Sequence, residues 1–336
     1  MTKNRMIGVA LGPRTTSEAI EGIRKVALSA DIAEIRLDFM EECDLPALLR
    51  HRPCPVIATN RAEREGGRFR GSEEERVRPL LEAIDLDIEY VDIEHDAVHL
   101  ISDRRDTKLV VSRHDFQRVP EDIPALHQQL AGKGADVVKV VGMAQRITDN
   151  ARVLRALDLS DMPMISIAMG PAGLISRVLA LRSESCFLTY ATLDEEGEVA
   201  PGQLPIGTMR SVYRAKEIGP STAIYGVLSA EGISDSLIAL LNNKTRDAGL
   251  DAVWLPFQES VGSGVGPAEV IQAFRGLGVA GYLVEGSARS AVGASLDAVS
   301  SSDRAGRVNV IREINGQTVG EWSDTPEGAF SLIAGG

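Results

Sequence analysis

Residues 136–143 read DVVKVVGM, four valines around a single lysine. A short run that is apolar on both side-chain parities describes a strand covered on both faces, as in a parallel sheet flanked by helices. Seven comparable runs lie on either side of it. They are RMIGVAL (5–11), DIAEIRLDFM (31–40), PVIATN (55–60), EYVDIE (89–94), KLVVSRHDF (108–116), MPMISIAMG (162–170) and SCFLTYATL (185–193). Between them stand helical patterns: TSEAIEGIRKVALS, EEERVRPLLEAI, PEDIPALHQQLAGKG, TDNARVLRAL and GLISRVLALRS. Strict alternation of strand and helix implies a parallel sheet. Eight such units in about 217 residues suit a compact (β/α)8 TIM barrel, which typically takes roughly 250. A doubly wound open sheet is the alternative, disfavoured because no G-x-G-x-x-G fingerprint follows the first strand.

After a helix expected over 205–218, Gly219-Pro220-Ser221 reads as a linker. The pattern then restarts as a smaller α/β domain with runs TAIYGVL, LDAVWLPF and VAGYLVEG and helices SLIALLNNKTRDAG and GPAEVIQAFRGLG. SVGSGVG (260–266) reads as a loop. VNVIREINGQTVGEW reads as a hairpin turning at Asn315-Gly316. The expected domains are 1–218 and 222–336.

Composition bounds the chemistry. The chain has 336 residues, 44% apolar and 25% charged, with a net charge of −12. An acidic balance disfavours nucleic acid and anionic membranes as partners, since both require clustered Lys and Arg. Cys43, Cys54 and Cys186 show neither disulfide nor zinc spacing. No long apolar run or signal peptide is read, so a cytoplasmic protein is expected.

Side-chain parity carries the functional reading. Glu34, Arg36 and Asp38 share one parity of the second strand, against Ile35 and Leu37. Thr59 and Arg61 lie together in the third. Asp92 and Glu94 oppose Val91 and Ile93, Ser112 and His114 lie together, Lys139 sits between Val137 and Val141, and Ser166 opposes Ile165 and Ile167. Apolar parities suit packing on helices, so the charged parity is assigned to the lumen. Burying so many ions costs several kcal/mol each unless they are paired. They form either a structural ion-pair network or an active site at the C-terminal mouth. Burial and neighbouring cations such as Arg36 or Arg61 favour a neutral Lys139 amine, the nucleophile for a Schiff base. His114, on the adjacent strand, can take and return a proton. The loop NRAEREGGRFRGS (60–72) would hang its arginines (Arg61, Arg64, Arg68, Arg70) over the mouth, suiting an anionic substrate.

These residues fall into a family pattern. EIRLD (34–38), TNRAEREGG (59–67), VDIE (91–94), SRHDF (112–116), ADVVKVV (135–141), SIAMGPAGLISR (166–177) and APGQLP (200–205) resemble type I 3-dehydroquinate dehydratase. The resemblance implies Lys139 as the Schiff-base lysine and His114 as general acid/base. It implies that Glu34, Arg36, Arg61 and Glu65 shape the substrate site, that Arg177 binds the substrate carboxylate and that Gln203 closes the site. It implies a small-molecule substrate, 3-dehydroquinate, no metal or cofactor, and a homodimer. The family often has a serine where this chain has Val199. Another Schiff-base barrel enzyme, such as an aldolase, is the alternative.

The C-terminal part resembles the substrate-binding half of shikimate dehydrogenase in AIYGV (223–227), GLDAVWLPF (249–257), AFRGLGVAGYLV (273–284), VNVI (308–311) and NGQTVGEWSD (315–324). The family's catalytic lysine position holds Arg289, the Asn-Thr-Asp motif reads Trp322, Ser323, Asp324, and the Ser-x-Ser motif survives loosely as Ser234 and Ser236. An arginine stays protonated and does not shuttle protons. With the chain ending at Gly336, no nicotinamide-binding domain is expected. The domain is read as a stabilising or oligomerising relic, a shikimate-binding sensor or a partner-docking module.

Overall fold

The computed structural model describes residues 5–50, 52–194, 200–258 and 264–335. Its contacts divide the chain into two compact units, Met1–Ala144 with Arg152–Met209, and Gln145–Ala151 with Arg210–Gly336.

The first unit is built on eight parallel strands: β1 (Met6–Leu11), β2 (Ile32–Arg36), β3 (Val56–Thr59), β4 (Tyr90–Glu94), β5 (Lys108–Asp115), β6 (Val137–Met143), β7 (Met164–Met169) and β8 (Leu188–Thr192). They are hydrogen-bonded in the order β7-β6-β5-β4-β3-β2-β1-β8, and a two-residue β9 (Leu204–Pro205) pairs in parallel alongside β8. The ring closes between β7 and β8 through one parallel bridge, Met164 with Cys186, flanked by two backbone hydrogen bonds of 2.8 Å. The fold is therefore the (β/α)8 barrel read from the alternation.

Local chemistry explains the outer helices. Thr15 caps α1 (Thr16–Ser29), and Asp44 bonds the Ala47 amide in α2 (Leu45–Arg50). Ser72 and Glu75 form a reciprocal capping box on α3 (Glu73–Asp85), and Asp122 caps α4 (Ile123–Ala131). Next come α5 (Asn150–Leu159) and α6 (Leu174–Leu179). The alternation is not strict. Between β4 and β5 there is only a one-turn 3₁₀ segment, Val98–Leu100, whereas α2 is a helix that periodicity missed because six residues hold less than two turns.

The lumen is layered. Met6, Ile32, Ile57, Tyr90, Val110, Val137, Ile165 and Leu188, one from each strand, fill its N-terminal end as an apolar cluster. Glu34, Asp92, Ser112 and Lys139 stand two residues further along and form a buried charged layer. β7 corrects the parity assignment. Ile167 and Met169 line the pocket at the mouth, so Ser166 stands on the outer face. Both parities of Met164–Met169 are largely apolar, so composition alone could not orient that strand.

The second unit carries a mixed sheet in the order β11-β10-β12-β14-β15-β13. β10 (Ala223–Ser229), β11 (Ala252–Gln258) and β12 (Val279–Val284) are parallel to one another. β13 is Ala298–Val299; β14 (Val310–Ile314) and β15 (Gln317–Glu321) form the expected hairpin. Asn315 and Gly316 both take left-handed φ, 53° and 77°, as a type I′ turn requires. The helix expected over 205–218 stops as α7 (Ile206–Ser211), three residues before Arg214 adopts φ 50°. α8 (Asp235–Asp247) packs on β11, where Asn242 and Thr245 satisfy the backbone and indole of buried Trp254. Residues 260–263 of the expected loop lie outside the described residues. Among the described residues, no helix is long and apolar enough to cross a membrane.

Candidate active site

Lys139 forms the floor of the site. Its side chain is 5% exposed. Its Nζ lies 2.7 Å from Asp92 Oδ2, 3.4 Å from Glu34 Oε2 and 3.1 Å from the Tyr190 hydroxyl. Its nearest partners are thus carboxylates and a phenol, not the arginines expected from the sequence. Arg36 spends its fork on Asp38, at 2.8 and 2.7 Å. Asp38 lies in the one-turn segment after β2, and from there it also accepts the Arg61 and Arg68 amides.

Arg61 is buried beside the floor. It reaches Asp92 at 2.7 Å, Glu94 at 3.0 Å and the Ser112 hydroxyl at 2.8 Å. Ser112 in turn donates to Asp92 at 2.7 Å, and Thr59 donates to Glu34 at 2.8 Å. Burial alone would raise the Asp92 carboxyl, but Arg61 and Lys139 outweigh it and hold the group ionised. Burial, reinforced by Glu34 and Asp92, pushes the Tyr190 phenol well above its usual range, so it stays protonated.

The β5–β6 register pairs Ser112 with Lys139 and His114 with Val141, which sets the imidazole one step nearer the mouth. Glu65 Oε2 accepts the His114 backbone amide at 3.0 Å and contacts Nδ1 at 3.0 Å. Two glycines let the Glu65 loop fold back this far. Gly66 has φ 77°, and a Cβ on Gly67 would lie 1.9 Å from the Arg61 carbonyl oxygen. Burial, with Glu94 nearby and only partly offset by Arg61, pushes the Glu65 carboxyl up to about 7. Burial, then Arg61 and Lys139, hold the His114 imidazole well below its ordinary value, in the neutral form. In the tautomer that donates Nδ1–H to Glu65, Nε2 carries the lone pair.

The remaining wall comes from two loops. Arg177 on α6 is buried and donates to the Pro201 carbonyl at 3.0 Å. The Gly170 amide donates to the same carbonyl at 3.0 Å, which ties residues 200–203 to the end of β7. Gly202 allows this approach, since it has φ 76° and a Cβ there would meet the Gly170 carbonyl oxygen at 2.4 Å.

Glu34, Arg36, Arg61, Glu65, His114, Lys139, Arg177 and Gln203 all line one pocket. Tyr190, Phe116 and Met169 line it too and were not singled out in the sequence. Tyr190 shares its parity with Leu188, and that alternation was the signal available. Of the other loop arginines, Arg64 pairs with Glu73 and Asp96, and Arg70 with Glu63. Arg68 stacks on the Phe39 ring at 3.8 Å. None of these three lines the pocket. Val199 lies outside the described residues.

In the second unit the departed motif residues are engaged locally. Arg289 donates to the Val284 carbonyl and to Glu285, both at 2.9 Å. Ser234 caps α8 and shares a hydrogen bond with Ser236, and the Trp322 indole donates to Asp324.

Fold and site define the class first: a (β/α)8 barrel with a buried lysine and a carboxylate-bound histidine at its C-terminal mouth. Residues 7–220 match the type I 3-dehydroquinase family, and the chain belongs to that family. It is 35% identical over 217 residues to the 3-dehydroquinate dehydratase of Methanopyrus kandleri, covering 62% of this chain and 98% of that protein. It is 33% identical over 237 residues to the chloroplastic bifunctional 3-dehydroquinate dehydratase/shikimate dehydrogenase of Arabidopsis thaliana, covering 67% of this chain but 39% of that protein. A solved structure of dehydroquinate dehydratase and shikimate dehydrogenase from S. pombe aligns at 25% identity with a TM-score of 0.54. It covers 95% of this chain and 65% of its own, so the similarity continues into the second unit.

Proposed function

We propose that this chain dehydrates 3-dehydroquinate to 3-dehydroshikimate through an imine on Lys139, with His114 as general acid and base. The observation that carries the reading is a lysine Nζ buried at the floor of the pocket that also holds the neutral, Glu65-bound imidazole. Lys139 attacks the C3 ketone as the free amine, and the ketone oxygen leaves as water. The protonated imine then acts as an electron sink for the C2–H bond. His114 Nε2 takes a C2 proton, giving an enamine and an imidazolium held by Glu65. The enamine expels the C1 hydroxyl, which takes the proton back from His114 and departs as water. Hydrolysis of the remaining imine releases the enone and restores Lys139.

The other residues bind and orient. Arg177 is assigned the substrate carboxylate, Gln203 the closing contact, and Glu34, Arg36 and Arg61 the surrounding polar wall. The C-terminal domain, residues 222–336 in this reading, is assigned no dehydrogenase activity, because Arg289 stands where a proton-shuttling lysine is required. Borohydride added during turnover of 3-dehydroquinate is expected to reduce the imine and add mass to the Lys139 peptide. Unlabelled protein, together with no absorbance gain from the enone, would sink the assignment.

A further inference from the structure

Arg76 takes no part in the pocket, yet its side chain is fully buried. It sits on the inner face of α3, in the shell outside the strands. Nε and NH2 bond Glu73 at 3.2 and 2.6 Å, and NH1 donates to the Asn60 carbonyl at 2.9 Å. The Asn60 amide returns a 2.8 Å hydrogen bond to the Arg76 carbonyl, so the residue is locked in place from both sides. NH1 also pairs with Glu94 Oε2. From there alternating charges run to the floor of the site: Arg76 to Glu94, Glu94 to Arg61 at 3.0 Å, Arg61 to Asp92 at 2.7 Å, and Asp92 to Lys139 at 2.7 Å.

We propose that Arg76 is a positioning residue that sets how tightly Asp92 holds Lys139. The inference rests on the reading of Lys139 as the nucleophile. Arg61 divides its guanidinium between two carboxylates. Arg76 neutralises one of them, Glu94, from the far side, which leaves Arg61 free to neutralise the other. Without Arg76, Glu94 draws Arg61 toward itself, and Asp92 keeps more charge for Lys139. Buried charges are screened weakly, so the effect reaches across four links. Lys139 is then held more tightly in its ion pair with Asp92 and is less available to attack the ketone. The groups facing Lys139 are Glu34 from β2, Arg36 at its end, Arg61 after β3, Asp92 from β4, His114 from β5 and Tyr190 from β8. Those facing Arg76 are Glu73 on its own helix, Glu94 on β4 and Asn60 after β3. Of the Lys139 set, Arg61 alone bonds Glu94, so it is the route of the coupling.

The test compares pH profiles of full-length wild type, Arg76→Met, Arg76→Lys and the double variant Arg76→Met/Glu94→Gln, each with its thermal midpoint. In Arg76→Met the acid limb of kcat/KM is expected about one pH unit higher, and neutral kcat about 10-fold lower, with KM within roughly twofold. The double variant removes both charges and is expected to return the limb toward the wild-type position. Arg76→Lys keeps a point charge without the fork and is expected to lie between. If Arg76→Met does not fold, the double variant and Arg76→Lys carry the comparison. Profiles that superimpose on wild type while only the thermal midpoint falls would assign Arg76 a structural role and overturn the proposal. Borohydride trapping on wild type separates the two readings. A labelled Lys139 with unmoved profiles removes Arg76 alone, whereas an unlabelled Lys139 removes both.

Discussion

Replacing Glu65 with Gln should change how the barrel's stability depends on pH. Glutamine keeps the shape and still accepts the His114 hydrogen bonds, but it cannot ionise. In the wild type, burial raises the Glu65 carboxyl from 4.5 to about 7, so the fold favours the protonated acid. A raised folded value gives stability that is fully present below 4.5 and is lost as pH rises through about 7. At roughly 1.36 kcal/mol per pH unit the loss amounts to about 3 kcal/mol. His114 has the opposite sign: its depressed folded value costs stability as pH falls below the ordinary 6.5. The two groups touch, so the difference between the proteins reads the Glu65–His114 pair. Calorimetry from pH 4.5 to 8 should therefore show Glu65→Gln gaining on wild type as pH rises and levelling off above about 7. For a unit of this size the gain corresponds to roughly 6–12 °C in the barrel transition. A difference that does not vary with pH would refute the claim that the fold, and not only the substrate, tunes this carboxyl.

Three further outcomes follow from the geometry. Tyr190→Phe removes only the hydroxyl 3.1 Å from Lys139 Nζ, and should lower kcat about 10-fold while leaving KM within twofold; an unchanged kcat would take that hydroxyl out of the chemistry. Gly202→Ala places a side chain at φ 76° and against the Gly170 carbonyl, at a cost of about 1–3 kcal/mol. It should displace Gln203 and raise KM more than it lowers kcat, and an unchanged KM would separate the 200–203 segment from substrate binding. Arg289→Lys should yield no shikimate-dependent NADP reduction, because the Asn-Thr-Asp motif keeps only its aspartate, Asp324; activity in that variant would mean the dehydrogenase site is one residue from intact.

Parity made the charged layer of the barrel legible, because Glu34, Asp92, Ser112 and Lys139 each interrupt a β-branched run at the same phase. Parity states which face a residue occupies, not which neighbour it meets. The pairing of Lys139 with Asp92 depends on register and strand order, which emerge only when eight strands close, and so the expected arginine neighbours proved to be carboxylates. Arg177 and Gln203 stand on a helix and a loop, where no two-residue alternation exists, and family motifs alone reached them. Tyr190 was hidden for the opposite reason: an aromatic in FLTYATL satisfies the apolar pattern, and its hydroxyl adds nothing to it. Arg76 lay in plain view on an amphipathic helix, where an arginine ordinarily reads as solvated. Only its full burial beneath the β3–β4 end shows that the charged layer does not stop at the barrel wall. The same physics accounts for both errors of reading. A buried ion is tolerated only with partners, those partners are distant in sequence, and a chain of them can lead from the floor of a pocket to a helix that never touches substrate.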